Sequence, residues 1–264
     1  MNRDRRVPIL LVVPAVIAVL LLILPLAALL IRTPWAELPR VLAGGRVWPA
    51  LRLSLVSASI ATLISLVVGV PLAWVIGRSV SSGMGLLRGV VTLPLVLPPV
   101  VGGITLLMAF GRNGIVGKPL YSLTGLSIPF TSLAVVMAQT FVAMPFLVIS
   151  VAGAVERLDH RFDEAAASLG ASGMYAFRRV TLPMLAPGIL AGTVLAWTRA
   201  LGEFGATITF AGAFPGRTET MPIAVYLAQQ SDPEAALALS VVLLLVSLVV
   251  LVTLRRHYLP GAIA

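Results

Sequence analysis

The sequence predicts an all-α integral membrane protein, a single domain over residues 1–264 that crosses the bilayer six times. Three observations predict it. The chain is 59% hydrophobic and only 11% charged, about half the charged share of an ordinary soluble domain. Its apolar residues fall in six runs long enough for membrane helices, and most of the charge lies between them. Arg and Lys also crowd the flanks on alternate sides, as a positive-inside orientation requires. The net charge of +9 is spread in small groups beside apolar segments rather than along one face, so it marks flanks and not a nucleic-acid surface. Cysteine is absent, which removes any disulfide framework, thiol nucleophile or thiolate metal site.

The first run, residues 7–31, follows Arg3, Arg5 and Arg6 and has the outline of a signal peptide. Its reach of roughly 37 Å exceeds a secretory apolar region and suits a retained span with a cytoplasmic N-terminus. Residues 32–49 form a short external connection bracketed by Trp35 and Trp48 as interface aromatics. The second span, about 50–76, carries Ser54, Thr62 and Ser65, and Arg78 and Arg88 flank the cytoplasmic turn after it. In the third, about 89–110, Pro94, Pro98 and Pro99 precede Gly102 and Gly103, so no regular helix can run through. The freed carbonyls must be buried in protein or face a water-filled cavity, which makes this either a pathway element or a packing kink.

The external loop 111–129 holds Lys118 in a Gly-Lys pair, but the spacing and the following Pro119 fail the phosphate-loop pattern, so this chain binds no ATP by that device. The fourth span, about 130–154, includes Gln139 and Thr140. Two short helices then follow in a cytoplasmic loop, 156–183: one around Glu164 that ends at a left-handed Gly170, and one capped by Ser172 with Arg178 and Arg179 in its last turn and Pro183 limiting it. The fifth span, about 186–211, places Arg199 and Glu203 one helical turn apart inside the membrane, where charge marks a functional or packing site. At least one of the two is expected to reach another helix or another copy. An external segment, 212–232, leads to a sixth span that closes at Arg255 and Arg256 on the cytoplasmic side, where both termini are placed. His160 and His257 have no second histidine at ligand spacing, and no metal site is expected.

The run Glu164-Ala165-Ala166, three residues, Gly170, nine residues, Val180-Thr181-Leu182-Pro183 resembles the EAA loop of ABC importer permeases, with valine in place of the usual isoleucine. The resemblance implies a type I importer permease fold, in which Asp163, Glu164, Ala165, Ala166, Ala167, Ser168, Leu169, Gly170 and Ala171 form a coupling helix docked on a separate ATPase. It also implies a homodimer in a bacterial or archaeal cell (inner) membrane, served by two ATPase copies and an external binding protein. The chain itself would be a non-catalytic subunit without cofactor, with ATP and Mg held by the partner.

Within that family Arg199-Ala200-Leu201-Gly202-Glu203-Phe204-Gly205-Ala206-Thr207 resembles the corresponding stretch of molybdate permeases, as do the runs at 93–101 and 215–222. Sulfate permeases are the near relatives, and nothing in the sequence separates molybdate from tungstate. A tetrahedral dianion is best selected by a dry cage of donors, which belongs on the binding protein; the permease needs a transient, weakly polar path. Ser54, Thr62, Ser65, Pro98, Pro99, Thr105, Thr140 and Thr207 could line or gate it, with Arg199 offsetting the anion's charge and Glu203 in a structural or gating pair. Two rivals remain: an ion-coupled secondary carrier, which calls for internal repeats, and an intramembrane enzyme, which calls for a nucleophile or ligand set at membrane depth.

Overall fold

The computed structural model describes residues 9–79, 82–159, 161–162 and 168–258. Asp163, Glu164, Ala165, Ala166 and Ala167 lie outside the described residues, as do His160 and the Arg3, Arg5 and Arg6 flank. Everything regular among the described residues is helical. Five helices are long and apolar enough to cross a membrane: α1 (Ile9–Arg32), α3 (Val47–Arg78), α7 (Ser132–Glu156), α8 (Gly173–Leu201) and α11 (Pro233–Tyr258). A bent pair, α4 (Ser82–Val96) and α5 (Pro99–Phe110), makes the sixth crossing if taken as one. Four shorter helices complete the fold: α2 (Leu38–Ala43), α6 (Gly117–Thr124), α9 (Gly205–Ala211) and α10 (Met221–Ser231).

α7 is the central post. Val135, Ala138, Ala143, Leu147 and Val151 on it have no exposed surface, because α3 and α8 pack along most of its length and α5 and α9 against its first turns. In a bilayer, where lipid is as apolar as the side chains, close backbone approach must supply the packing energy. Glycine allows that approach here: a Cβ at Gly77 of α3 would stand 2.7 Å from Val155 Cβ, and one at Gly188 of α8 would stand 2.6 Å from Ala154 Cβ. Gly192, one turn on, would meet Ser150 Cβ at 3.0 Å. Ser150 in turn donates to the Gly188 carbonyl at 3.1 Å, so a hydrogen bond joins α7 to α8 where the glycines let them touch. α1 remains largely exposed along its length, and its principal contact is with α11.

The loop-end expectations divide. Gly170 is left-handed at φ 77° and the Ser172 hydroxyl accepts the Tyr175 N–H at 3.3 Å, as a helix stop and a cap require. The second helix does not stop at Pro183, however. It continues as α8 to Leu201, so Arg178 and Arg179 lie inside a long helix rather than in a last turn. The proline is absorbed by a π turn over Phe177–Thr181, in which the Leu182 N–H reaches the Phe177 carbonyl five residues back. Widening the turn accommodates a residue that cannot complete the α pattern.

Segment 212–232, read from sequence as an external connection, contains α10, whose Met221, Ile223 and Ala224 are buried. Its first amide is fixed across the fold, since Met221 N–H donates to Ser54 Oγ at 2.7 Å. Ser54 is thus an anchor for α10 rather than a lining hydroxyl. Just before it Glu219 is 5% exposed, and desolvation raises its pKa while Arg46 opposes the shift.

The glycine seam leads to a prediction. Gly192→Leu should force α7 and α8 apart and lower stability by about 1–3 kcal/mol, read as a fall in the melting temperature in detergent. Gly45→Ala, which meets nothing within 4 Å, should leave the melting temperature unchanged.

Candidate functional site

Two helix breaks meet inside the protein. The first follows α4. Pro94 is tolerated inside that helix, contrary to the expectation that all three prolines disrupt it; Pro98 and Pro99 make the break. A residue before proline is held extended, and Pro98, at φ −53° and ψ 134°, is extended accordingly. Pro99 then opens α5, where its missing N–H costs nothing. The axes of α4 and α5 differ by 116°, so the third span expected at 89–110 is a sharply bent pair of helices, in keeping with the expectation that no regular helix runs through it.

The second break ends α8. The expected helix through residue 211 stops at Leu201, and α9 starts at Gly205. Glu203 sits between them, 1% exposed, and each carboxylate oxygen has a task. Oε1 accepts the Ala206 N–H at 2.8 Å, and Oε2 lies 2.6 Å from Arg199 Nη1. A carboxylate at a helix start is favoured by the helix dipole and satisfies an orphan amide; the guanidinium makes the burial of its charge tolerable. Arg199 and Glu203 therefore pair with each other, and Glu203 also reaches the Ala206 amide of α9, so one of the two engages another helix as expected and the pair joins α8 to α9.

The breaks interlock through glycine. A Cβ at Gly205 would stand 2.7 Å from Pro99 Cβ, and one at Gly103 would stand 2.6 Å from Thr209 Cβ and 2.8 Å from the Ala206 carbonyl. α5 and α9 thus cross at backbone distance. Beside them lies a cavity of about 110 Å³ lined by Leu97, Pro99, Gly102, Phe141, Phe146 and Arg199. Its lining side chains are apolar apart from the Arg199 guanidinium, which pairs with Glu203.

Of the residues nominated for a path, the structure brings Pro99, Arg199 and Glu203 together here, with Pro98 beside them. Thr105, exposed on α5, donates to the Gly102 carbonyl at 2.8 Å. Thr62, Ser65 and Thr140 are buried elsewhere in the helix packing and donate to the Ala58, Ala61 and Val136 carbonyls of their own helices at 2.7, 2.8 and 2.7 Å. Thr207 is fully buried on α9. None of these four hydroxyls faces open space in this conformation. At the loop end, Ser168, Leu169 and Gly170 are exposed and Ala171 half-buried; Leu169 is 89% exposed beside an apolar groove formed with Phe162, Tyr175 and Val180.

Sequence reasoning missed an ion pair between Arg88 of α4 and Glu156, the last residue of α7. The two are too far apart in the chain for any local spacing to reveal it. It also missed the contact of Trp74 with Phe177, ring centroids 5.2 Å apart and edge to face, which ties α3 to the π turn. The break at Gly202 was missed as well, although a signal for it was present: a basic residue, then glycine, then an acidic residue three before the next helical amide is a stop followed by a start.

Comparison with known proteins places the chain. Residues 69–262 match the family described as the binding-protein-dependent transport system inner membrane component. The chain is 46% identical over 237 residues to the molybdenum transport system permease protein ModB of Mycobacterium tuberculosis, covering 90% of this chain and 89% of that one. It is 36% identical over 240 residues to the sulfate transport system permease protein CysT of Salmonella typhimurium, covering 89% and 86%. In fold it is similar to a chain of a bacterial alginate ABC transporter solved in complex with a pentasaccharide-bound periplasmic protein, with a TM-score of 0.74 at 18% identity over 96% of this chain and 95% of that one. With the family pattern running through the α4–α5 and α8–α9 breaks and on through α11, this chain is a multi-pass membrane protein that belongs to the binding-protein-dependent transport system inner membrane component family.

Proposed function

We propose that this chain is the membrane subunit of an ATP-driven importer that carries molybdate, and tungstate with it, across a bacterial or archaeal cell membrane. The observation that carries the substrate is the extent of the likeness: 46% identity to a molybdenum permease over nine-tenths of the chain, against 36% to a sulfate permease over a similar length. Two copies of the chain form the membrane unit, and the loop end faces the cytoplasm with both termini. Two copies of a separate ATPase bind there through the segment from Asp163 to Ala171, and hold the ATP and Mg. An external oxyanion-binding protein delivers the cargo to the opposite face.

In this reading ATP closes the ATPase pair and draws the two coupling helices together. That movement reaches the break at Pro98 and Pro99, and the path opens outward; hydrolysis resets it. The paired breaks support the assignment of the path, because irregular backbone at membrane depth is tolerated where it is buried in protein or lines a cavity. The Arg199–Glu203 pair lets a dianion approach a guanidinium without falling into a tight site, so transfer stays fast. Selectivity rests with the binding protein.

Reconstitution tests the reading. In liposomes holding this chain, its ATPase and its binding protein, molybdate should stimulate ATP hydrolysis and sulfate should not. Gly170→Trp, which fills a left-handed turn with a bulky side chain, should lower the stimulated rate at least tenfold. Stimulation by sulfate alone would move the assignment to a sulfate permease, and oxyanion uptake by this chain without the ATPase would replace it with a secondary carrier.

The buried pair gives a second prediction. Arg199→Met strands the Glu203 charge and should lower stability by about 3–5 kcal/mol. Adding Glu203→Gln should recover most of that stability, measured by thermal unfolding in detergent, while molybdate uptake stays below about a tenth of wild type because the path has lost its cation. Normal uptake by the double variant would leave the pair a structural role only.

A further inference from the structure

We propose that Arg88 is a positioning residue that makes α4 move with the end of α7, and so links the coupling loop to the break at Pro98. One guanidinium nitrogen, Arg88 Nη2, lies 2.5 Å from Glu156 Oε1 and 3.1 Å from the Ile76 carbonyl. Those two acceptors belong to different helices. Glu156 is the last residue of α7, and the chain leaves it directly for the loop over 157–172. Ile76 lies in the last turn of α3, whose final four carbonyls have no partner within the helix. A cation there satisfies one of them and suits the negative end of the helix. Arg88 thus fastens the middle of α4 to the ends of α3 and α7 at one point.

The lever is α4 itself. Arg88 stands eight residues before Val96, where α4 ends at the break, a distance of about 12 Å along a helix. A shift of the α7 end, passed through Glu156 to Arg88, reaches Pro98 along the remaining turns of α4. Without the pair, α4 has no charged attachment among the described residues to the helix that enters the loop. Beside the pair, Val91, Thr92, Ile149 and Gly153 help to line an open groove of about 240 Å³, which leaves the guanidinium room to follow small movements without losing its acceptors. Both side chains are close to half exposed, Arg88 48% and Glu156 44%, so the tie biases the position of α4 rather than locking it.

This inference rests on the transport reading above, and the test keeps the two apart. It compares wild type, Arg88→Gln, Glu156→Gln and a charge-exchanged double variant, Arg88→Glu with Glu156→Arg, in the reconstituted assembly. The readout is the ratio of ATPase rates with and without molybdate-loaded binding protein. Each single variant should keep the basal rate and lose about threefold to fivefold in the ratio, the range that a half-exposed pair can bias. The exchanged variant should recover more than half of the loss, though not all, because a carboxylate at position 88 cannot donate to the Ile76 carbonyl. Wild type without stimulation would overturn the transport reading and this inference with it. A stimulated wild type with single variants matching it, or an exchanged variant that assembles yet couples no better than the singles, would overturn the tie alone. If the single variants fail to assemble, the exchanged variant decides the matter by the same ratio.

Discussion

A backbone amide or carbonyl inside a bilayer has no water to turn to, and that constraint organises this molecule. Helices satisfy it by themselves; any interruption must be repaired by neighbouring protein. The chain interrupts itself at Leu97 and Pro98 and again from Gly202 to Phe204, and sets the two interruptions against each other. Glu203 supplies an acceptor to the amide of Ala206, Arg199 supplies the countercharge, and Gly103 and Gly205 let α5 and α9 come near enough to close the gap. An unpaired carboxylate at that depth would cost several kcal/mol, so each of these residues depends on the others.

The remaining helices hold that arrangement in place and connect it to the loop end. α7 is packed by α3 and α8 through close glycine contacts, which give a stiff support without relying on a hydrophobic drive that lipid does not offer. At the loop end the π turn in α8 lies edge-on to Trp74, over which the Arg78 guanidinium stacks at 4.5 Å. α4, tied at Arg88, runs from the same end to the first break, and α8 runs from it to the second. Both helices thus run from the loop end to the paired breaks.

Much of this was legible in the sequence, for physical reasons that also mark where legibility ended. Hydropathy located the spans because the bilayer demands long apolar runs, and Gly170 and Ser172 declared a stop and a cap because few residues fit those backbone positions. Pro98 and Pro99 announced a break but not its 116° angle, nor that α9 packs against it. Pro183 looked like an end because proline removes an amide, yet a π turn carried the helix through it. Thr62, Ser65 and Thr140 looked like path residues because they are polar within spans; in this conformation each is buried and its hydroxyl bonds to a carbonyl of its own helix. The missed α10 was signalled only by Thr220 and Pro222 at its start, and its burial depends on Ser54, far away in the chain.

The central claim is that the paired breaks line the path, and a native chain without cysteine makes it directly measurable. Single cysteines at Val100 and Thr105, on the exposed face of α5, and at Leu63, on the outer face of α3, would be tested in the assembled importer with a membrane-impermeant thiol reagent. If the breaks line the path, positions 100 and 105 react at rates that change between nucleotide-free and ATP-trapped states, while position 63 stays unreactive in both. Equal inertness at all three positions in both states would contradict it, and would make the breaks a packing feature away from the route of transport.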